Sequence, residues 1–258
     1  MVREFITALQ FLTRIRLFSD PEYDDGLFGR SVKFFPLIGV VAGSILALTV
    51  SLTEGWMPGT VRSTLLVTLC VFITGGLHCD GLMDTVDGLF SGRSRERMLE
   101  IMKDSRVGAF GVISIILLLL WKWSLIHDMP ESVLGVALIS MMTIGRFSMV
   151  LVILRFPYAR PEGMGKAFAL HAGTGSLGIA TLTVLGLLGA LYLIKGLLIF
   201  LIAAVAAVAA SLFAFWFGRW ATSKVGGLTG DLYGAVTELS ELVVLTVFVL
   251  SAYVKWVR

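Results

Sequence analysis

The chain has 258 residues, 57% hydrophobic and 15% charged, with a mean hydropathy of +0.89 and a formal net charge of +3. Soluble domains carry roughly a quarter charged residues and under half apolar ones, so an ordinary water-soluble enzyme is excluded. Two cysteines and no long polar tract exclude a disulfide scaffold and disorder, and a small positive charge is what membrane proteins place in orienting loops, not a sign of nucleic acid.

In chain order, Phe5, Ala8, Leu9, Leu12 and Ile15 fall at helical spacing and predict an amphipathic helix lying on the membrane interface. The same stretch carries Arg3, Glu4 and Arg14 and lacks a small-residue cleavage site, so it does not read as a signal peptide. Seven apolar runs follow, near the ~20 residues that a bilayer span needs: 34–53, 61–77, 107–126, 132–154, 174–194, 196–217 and 236–256. The second is short and closes on Gly75 and Gly76, where a tilt or break is expected. The fifth and sixth are joined by little more than Lys195 and Gly196, a tight hairpin. The expected fold is all-α and polytopic, a single membrane-embedded catalytic domain over 1–258 with about seven transmembrane helices.

Lysine and arginine set the orientation. With the N-terminus inside, segments 1–33, 78–106, 155–173 and 218–235 hold fifteen of the 21 basic residues. Arg62, Lys122, Lys195, Lys255 and Arg258 fall outside, and Arg146 lies within a span. The N-terminus and the long loops are therefore expected in the cytoplasm. Cys70 and Cys79 form no C-x-x-C motif and read as free thiols in a reducing compartment.

Acids concentrate between the second and third runs, where six of 18 fall from Asp80 to Asp104. On a helix, Asp80, Asp84 and Asp87 share one narrow face, because successive residues turn by about 100°. Like charges this close call for a compensating cation. Hard ions such as Mg²⁺ take oxygen ligands and combine a few carboxylates with substrate phosphates. These three aspartates are the expected metal ligands and, with Asp104, the expected catalytic acids. Lys103 and Arg106 are suited to an anionic phosphate, which Arg grips through a bidentate fork. Arg146, costly inside a span, is expected to face the bundle interior and meet an acid or an anionic ligand. His78 and the Arg160-containing loop are further phosphate-binding candidates.

A second acidic segment comes late. Residues 226–231 read Gly-Gly-Leu-Thr-Gly-Asp and echo Gly-Gly-Leu-His-Cys-Asp at 75–80, each with another acid seven residues on, Asp87 and Glu238. The expectation is two half-sites facing one polar pocket, with Asp231, Glu238 and Glu241 on the substrate side.

The stretch 75–89, Gly-Gly-Leu-His-Cys-Asp-Gly-Leu-Met-Asp-Thr-Val-Asp-Gly-Leu, and 102–111, Met-Lys-Asp-Ser-Arg-Val-Gly-Ala-Phe-Gly, resemble signatures of the cobalamin synthase family, the adenosylcobinamide-GDP ribazoletransferases. Supporting segments are 8–14, 35–39, 159–165 and 226–231; Cys79 stands where the family pattern has an aliphatic residue. The resemblance implies a bacterial inner-membrane transferase with a Mg²⁺ requirement. It would join adenosylcobinamide-GDP to α-ribazole, or its 5′-phosphate, and release GMP. Homo-oligomerisation is compatible with this reading. The aspartate spacing is also similar in style to that of CDP-alcohol phosphotransferases, the alternative enzyme. A metal or corrinoid transporter is disfavoured, because transporters gather their binding groups near the midplane.

Overall fold

The computed structural model describes residues 1–17 and 24–254, so Lys255, Trp256 and Arg258 of the expected outer end lie outside the described residues. Helix α1 (Val2–Leu12) buries Ala8, Leu9 and Leu12 along one face. That stripe packs on protein: Phe5 meets Phe34, and Phe11 meets Phe28, Phe35 and Phe168. Glu4 ties the helix down by accepting from Lys33 Nζ at 2.9 Å and Arg30 Nε at 3.2 Å.

Helix α2 (Asp25–Ser31) continues through a 3-10 turn, Val32–Phe34, into α3 (Phe35–Thr53). The first span is therefore longer than the run at 34–53 suggests. Helix α4 (Gly59–Thr74) stops where expected, and α5 (Leu77–Leu89) departs from it at 88°. The cause is local. Gly75 and Gly76 both take left-handed φ, +64° and +72°, a conformation that side chains with a Cβ rarely adopt. Their N–H groups donate to Phe72 and Val71 and so close the end of α4.

The remaining elements are α6 (Arg95–Ile101), α7 (Ala109–Asp128), α8 (Glu131–Arg155), α9 (Met164–His171), α10 (Thr174–Lys195), α11 (Leu197–Val225) and α12 (Gly230–Tyr253). The expected hairpin between α10 and α11 turns at Gly196. Helix α11 runs on to Val225, and α12 starts six residues ahead of the run at 236, so much of the expected loop 218–235 is helical. Among the described residues, six helical segments are long and apolar enough to cross a membrane, or seven with the bent α4–α5 pair counted as one. The chain is an all-α, multi-pass membrane protein.

Helix α8 forms the centre, with Leu134, Ala137, Leu138, Met141, Ile144 and Val150 essentially inaccessible. Helices α7, α10 and α11 instead leave large apolar side chains uncovered, among them Ile116, Leu120, Leu182, Leu193, Val205 and Leu212. Apolar area on that scale requires lipid. Between α3 and α8 the backbones approach closely through a small-residue contact of the kind that packs helices in membranes. A Cβ added at Gly39 would meet the Met142 carbonyl oxygen at 2.3 Å, and one at Gly43 the Ile139 Cα at 2.6 Å. Overpacking a core costs about 1–3 kcal/mol. Gly39→Leu is accordingly expected to lower the melting temperature in detergent by several degrees, whereas an unchanged melt would show that the two helices can separate freely.

Candidate active site

Helix α5 holds Asp80, Asp84 and Asp87 on one side, Asp80 exposed and the other two half-buried. Three attachments fix the helix. The Gly75–Gly76 break sets its direction. Asp87 reaches the start of α7, where its carboxylate accepts from the Gly108 N–H at 2.7 Å and the Gly111 N–H at 2.8 Å. A carboxylate there satisfies free amides and matches the positive helix end. Third, Gly81 lets the start of α12 lie directly on α5: a Cβ at Gly81 would come within 2.8 Å of the Asp231 carbonyl oxygen.

That contact brings Asp231 to the acidic face. Thr229 caps α12, and its hydroxyl also donates to Asp231 at 3.2 Å. Arg160 Nη2 donates to Asp231 at 2.8 Å. Arg160 is positioned by a short bridge between Tyr158 and Leu228, in which Leu228 N–H donates to the Pro157 carbonyl and Ala159 N–H to the Leu228 carbonyl, both at 2.8 Å. Asp84 thus lies within electrostatic reach of the carboxylates of Asp80, Asp231 and Asp87, with Arg160 as the cation acting on it. Buried Arg160 Nε has no hydrogen-bond partner.

The other expected site residues lie elsewhere. Asp104 forms a two-pronged pair with Arg106, Nε to Oδ1 at 3.0 Å and Nη2 to Oδ2 at 2.7 Å. The hydrogen bonds from Arg106 hold the Asp104 carboxyl down at about 2, with Arg97 a lesser influence. Arg106 and Lys103 are exposed. The Asp104 carboxylate is thus paired with its own neighbour, two residues away, and is set apart from the α5 aspartates.

His78, Glu238 and Glu241 lie buried inside the bundle and not on the expected substrate side, while Arg146 faces the bundle interior and meets an acid, as expected. Lys122, counted from sequence among the outer residues, lies there with them. Its Nζ donates to Glu238 Oε2 at 2.6 Å and Glu241 Oε2 at 2.5 Å. Arg146 pairs with Glu241 Oε1 and donates to the Met142 carbonyl at 3.1 Å. Two cations and two carboxylates thus neutralise one another in the bundle interior, which is how charge survives burial. His78 packs on Gly234 beside this quartet, with neither ring nitrogen hydrogen-bonded. Of the echoed residues, Asp80 and Asp231 both act electrostatically on Asp84, whereas Asp87 caps α7 and Glu238 holds Lys122.

The three aspartates share the α5 face without closing on one point. Among the described residues no three His, Cys, Asp or Glu side chains meet as a ready-made metal cage. Asp80 points to an exposed surface and Asp87 is turned toward α7. Cys70 and Cys79 are free, as expected. On the other side of Asp80 lies a polar chamber of about 510 Å³, bounded by the end of α1 and the α4–α5 break, and lined by Arg14, Arg16 and Gln10 among others.

Fold and site together define a polytopic helical membrane protein with a carboxylate-rich, arginine-flanked site where the ends of α7 and α12 meet a crossing helix. The chain belongs to the cobalamin-5-phosphate synthase family, whose profile matches residues 4–249. It is 38% identical over 264 residues to the adenosylcobinamide-GDP ribazoletransferase of Desulfitobacterium hafniense, covering 98% of this chain and 97% of that one. Proteins of the same description from Fusobacterium nucleatum (34% over 273 residues, 96% and 97% covered) and Roseiflexus sp. (38% over 250 residues, 95% and 88% covered) are also similar. No solved structure matches the chain.

Proposed function

We propose that the chain is an adenosylcobinamide-GDP ribazoletransferase acting as one membrane-embedded catalytic domain. A hydroxyl of α-ribazole, or of its 5′-phosphate, attacks the phosphorus next to the cobinamide arm. The bond from that phosphorus to the GMP oxygen breaks, GMP leaves, and the attacking hydroxyl gives up its proton. The observation that carries this reading is the crowd of carboxylates around Asp84 beside an arginine with a spare N–H.

The residues fit Mg²⁺. Mg²⁺ is bound through one or two carboxylates completed by substrate phosphates and water more often than by an all-protein cage. Asp84, flanked by Asp80 and Asp87, would hold it. When bound, the ion neutralises charge on the phosphates and assists the leaving group. Arg160 Nε is available to a phosphoryl oxygen. Asp231, held in place by Arg160 and Thr229, keeps that guanidinium oriented. A carboxylate of the cluster not engaged with metal takes the proton from the attacking hydroxyl, provided it lies within about 3 Å of it.

The site is assigned to the cytoplasmic face of the bacterial inner membrane, on the strength of the positive-inside pattern. Transferring Lys122 from the outer side to the bundle interior strengthens that asymmetry. The test is GMP release by the purified protein given adenosylcobinamide-GDP and α-ribazole. Release should require both substrates, stop with EDTA and return with added Mg²⁺. Turnover of a CDP-linked lipid in place of the corrinoid would overturn the reading.

A further inference from the structure

We propose that the chamber between the end of α1 and the α4–α5 break is a phosphate-binding subsite for the nucleotide half of the substrate, with Arg14 as its principal binding residue. The inference rests on the ribazoletransferase reading and deepens it by assigning a place to the departing nucleotide monophosphate.

Four observations support it. The chamber, at about 510 Å³, falls in the ~300–1,000 Å³ range of small-molecule sites. Arg14 is positioned by backbone: its N–H donates to the Ile73 carbonyl at 2.8 Å, which clips the end of α1 to the end of α4. Its guanidinium lies across Gly75, where an added Cβ would sit 1.9 Å from Nε, and Nη2 reaches the Gly75 carbonyl at 3.3 Å. Arginine has five N–H donors; among the described residues Arg14 has no carboxylate partner, so its fork is available to an anion. Finally, α5 begins here without a side-chain cap, and nothing stands within 4 Å of the position a Cβ would take at Gly76. Free first-turn amides and an open backbone favour a phosphate.

The chamber is continuous with the acidic face, because Asp80 lines it. A diphosphate laid along α5 would present one phosphorus to Asp84 and the other to Arg14. The second phosphate is the one that leaves with the nucleoside. Attack at the first phosphorus then transfers the cobinamide phosphate to the ribazole oxygen and leaves the nucleotide monophosphate held by Arg14. The same phosphate-ester chemistry is offered by an anionic lipid headgroup at the membrane edge, and the experiment separates the two sources.

The experiment uses the full chain in phosphatidylcholine nanodiscs, with GMP as inhibitor and probe. Hydrogen bonds to charged groups are worth enough that losing one weakens binding about tenfold. Arg14→Gln should therefore weaken GMP inhibition about tenfold and raise the KM for adenosylcobinamide-GDP by a similar factor, with the KM for α-ribazole unchanged. Arg14→Lys, which keeps the charge and loses the fork, should fall between. Should Arg14→Gln not accumulate, the smaller stabilisation of Arg14→Lys by GMP carries the same test. Unaltered GMP inhibition in Arg14→Gln overturns the subsite. So does a defect that appears only when phosphatidylglycerol is varied, which would assign the chamber to lipid. A wild-type protein that binds GMP but does not turn over both substrates separates failure of the ribazoletransferase reading from failure of the subsite.

Discussion

Asp84→Asn is expected to lower turnover about a thousandfold while leaving the melting temperature unchanged or slightly raised. The two halves of this result have one origin. Asp84 stands among Asp80, Asp87 and Asp231, with Arg160 as the cation acting on it. An amide keeps the shape of the side chain and removes its charge, so repulsion among the remaining acids falls. The same loss takes away the central carboxylate from which the metal is proposed to stabilise phosphoryl charge, an effect worth several kcal/mol. Each 1.36 kcal/mol is a factor of ten in rate, so about 4 kcal/mol gives the stated loss. Measuring GMP release beside a detergent melt checks both halves. Near-normal turnover with Mg²⁺ present would remove Asp84 from the site.

Lys122→Met is expected to have the largest effect on stability. Lys122 bonds two carboxylates that are as buried as it is, and without it Glu238 has no cation partner while Glu241 keeps only Arg146. Breaking a buried pair by removing one member costs about 3–5 kcal/mol. Whole domains are stable by only ~5–15 kcal/mol, so the variant should accumulate poorly or melt many degrees lower. Adding Glu238→Gln removes the stranded charge, and the double variant should recover a large part of the loss. Such non-additivity is the signature of directly coupled residues. If Lys122→Met alone melts like the parent, the buried pairing is absent in the membrane.

Local features were legible in advance. The apolar runs report lipid, which every span meets for itself, and the bend at Gly75–Gly76 and the turn at Gly196 depend only on residues at those points. The aspartate face of α5 follows from spacing along one helix. Long-range pairing has no comparable local sign. Lys122 meets Glu238 and Glu241 across more than a hundred residues of chain. Counting it by its place near the end of a run put it outside, although the criterion that singles out Arg146, a basic residue embedded in an apolar run, applies equally to it. His78, adjacent to the acidic motif in sequence, faces away because the aspartates occupy the other side of the same helix. The start of α12 was missed because Gly230 and Gly234 weaken its apolar signal. Arg14 reads from sequence as an orienting charge, and only its clip to Ile73 gives it a second use.

The attachments, two polar and one of close backbone packing, form a closed ring. Asp87 fastens α5 to α7, Lys122 on α7 fastens to Glu238 and Glu241 on α12, and α12 returns at Asp231 to lie on Gly81 of α5. A triangle braced at every corner cannot slacken along one edge alone. Distances between the α5 carboxylates and Asp231 are consequently governed by a joint lodged deep among the helices.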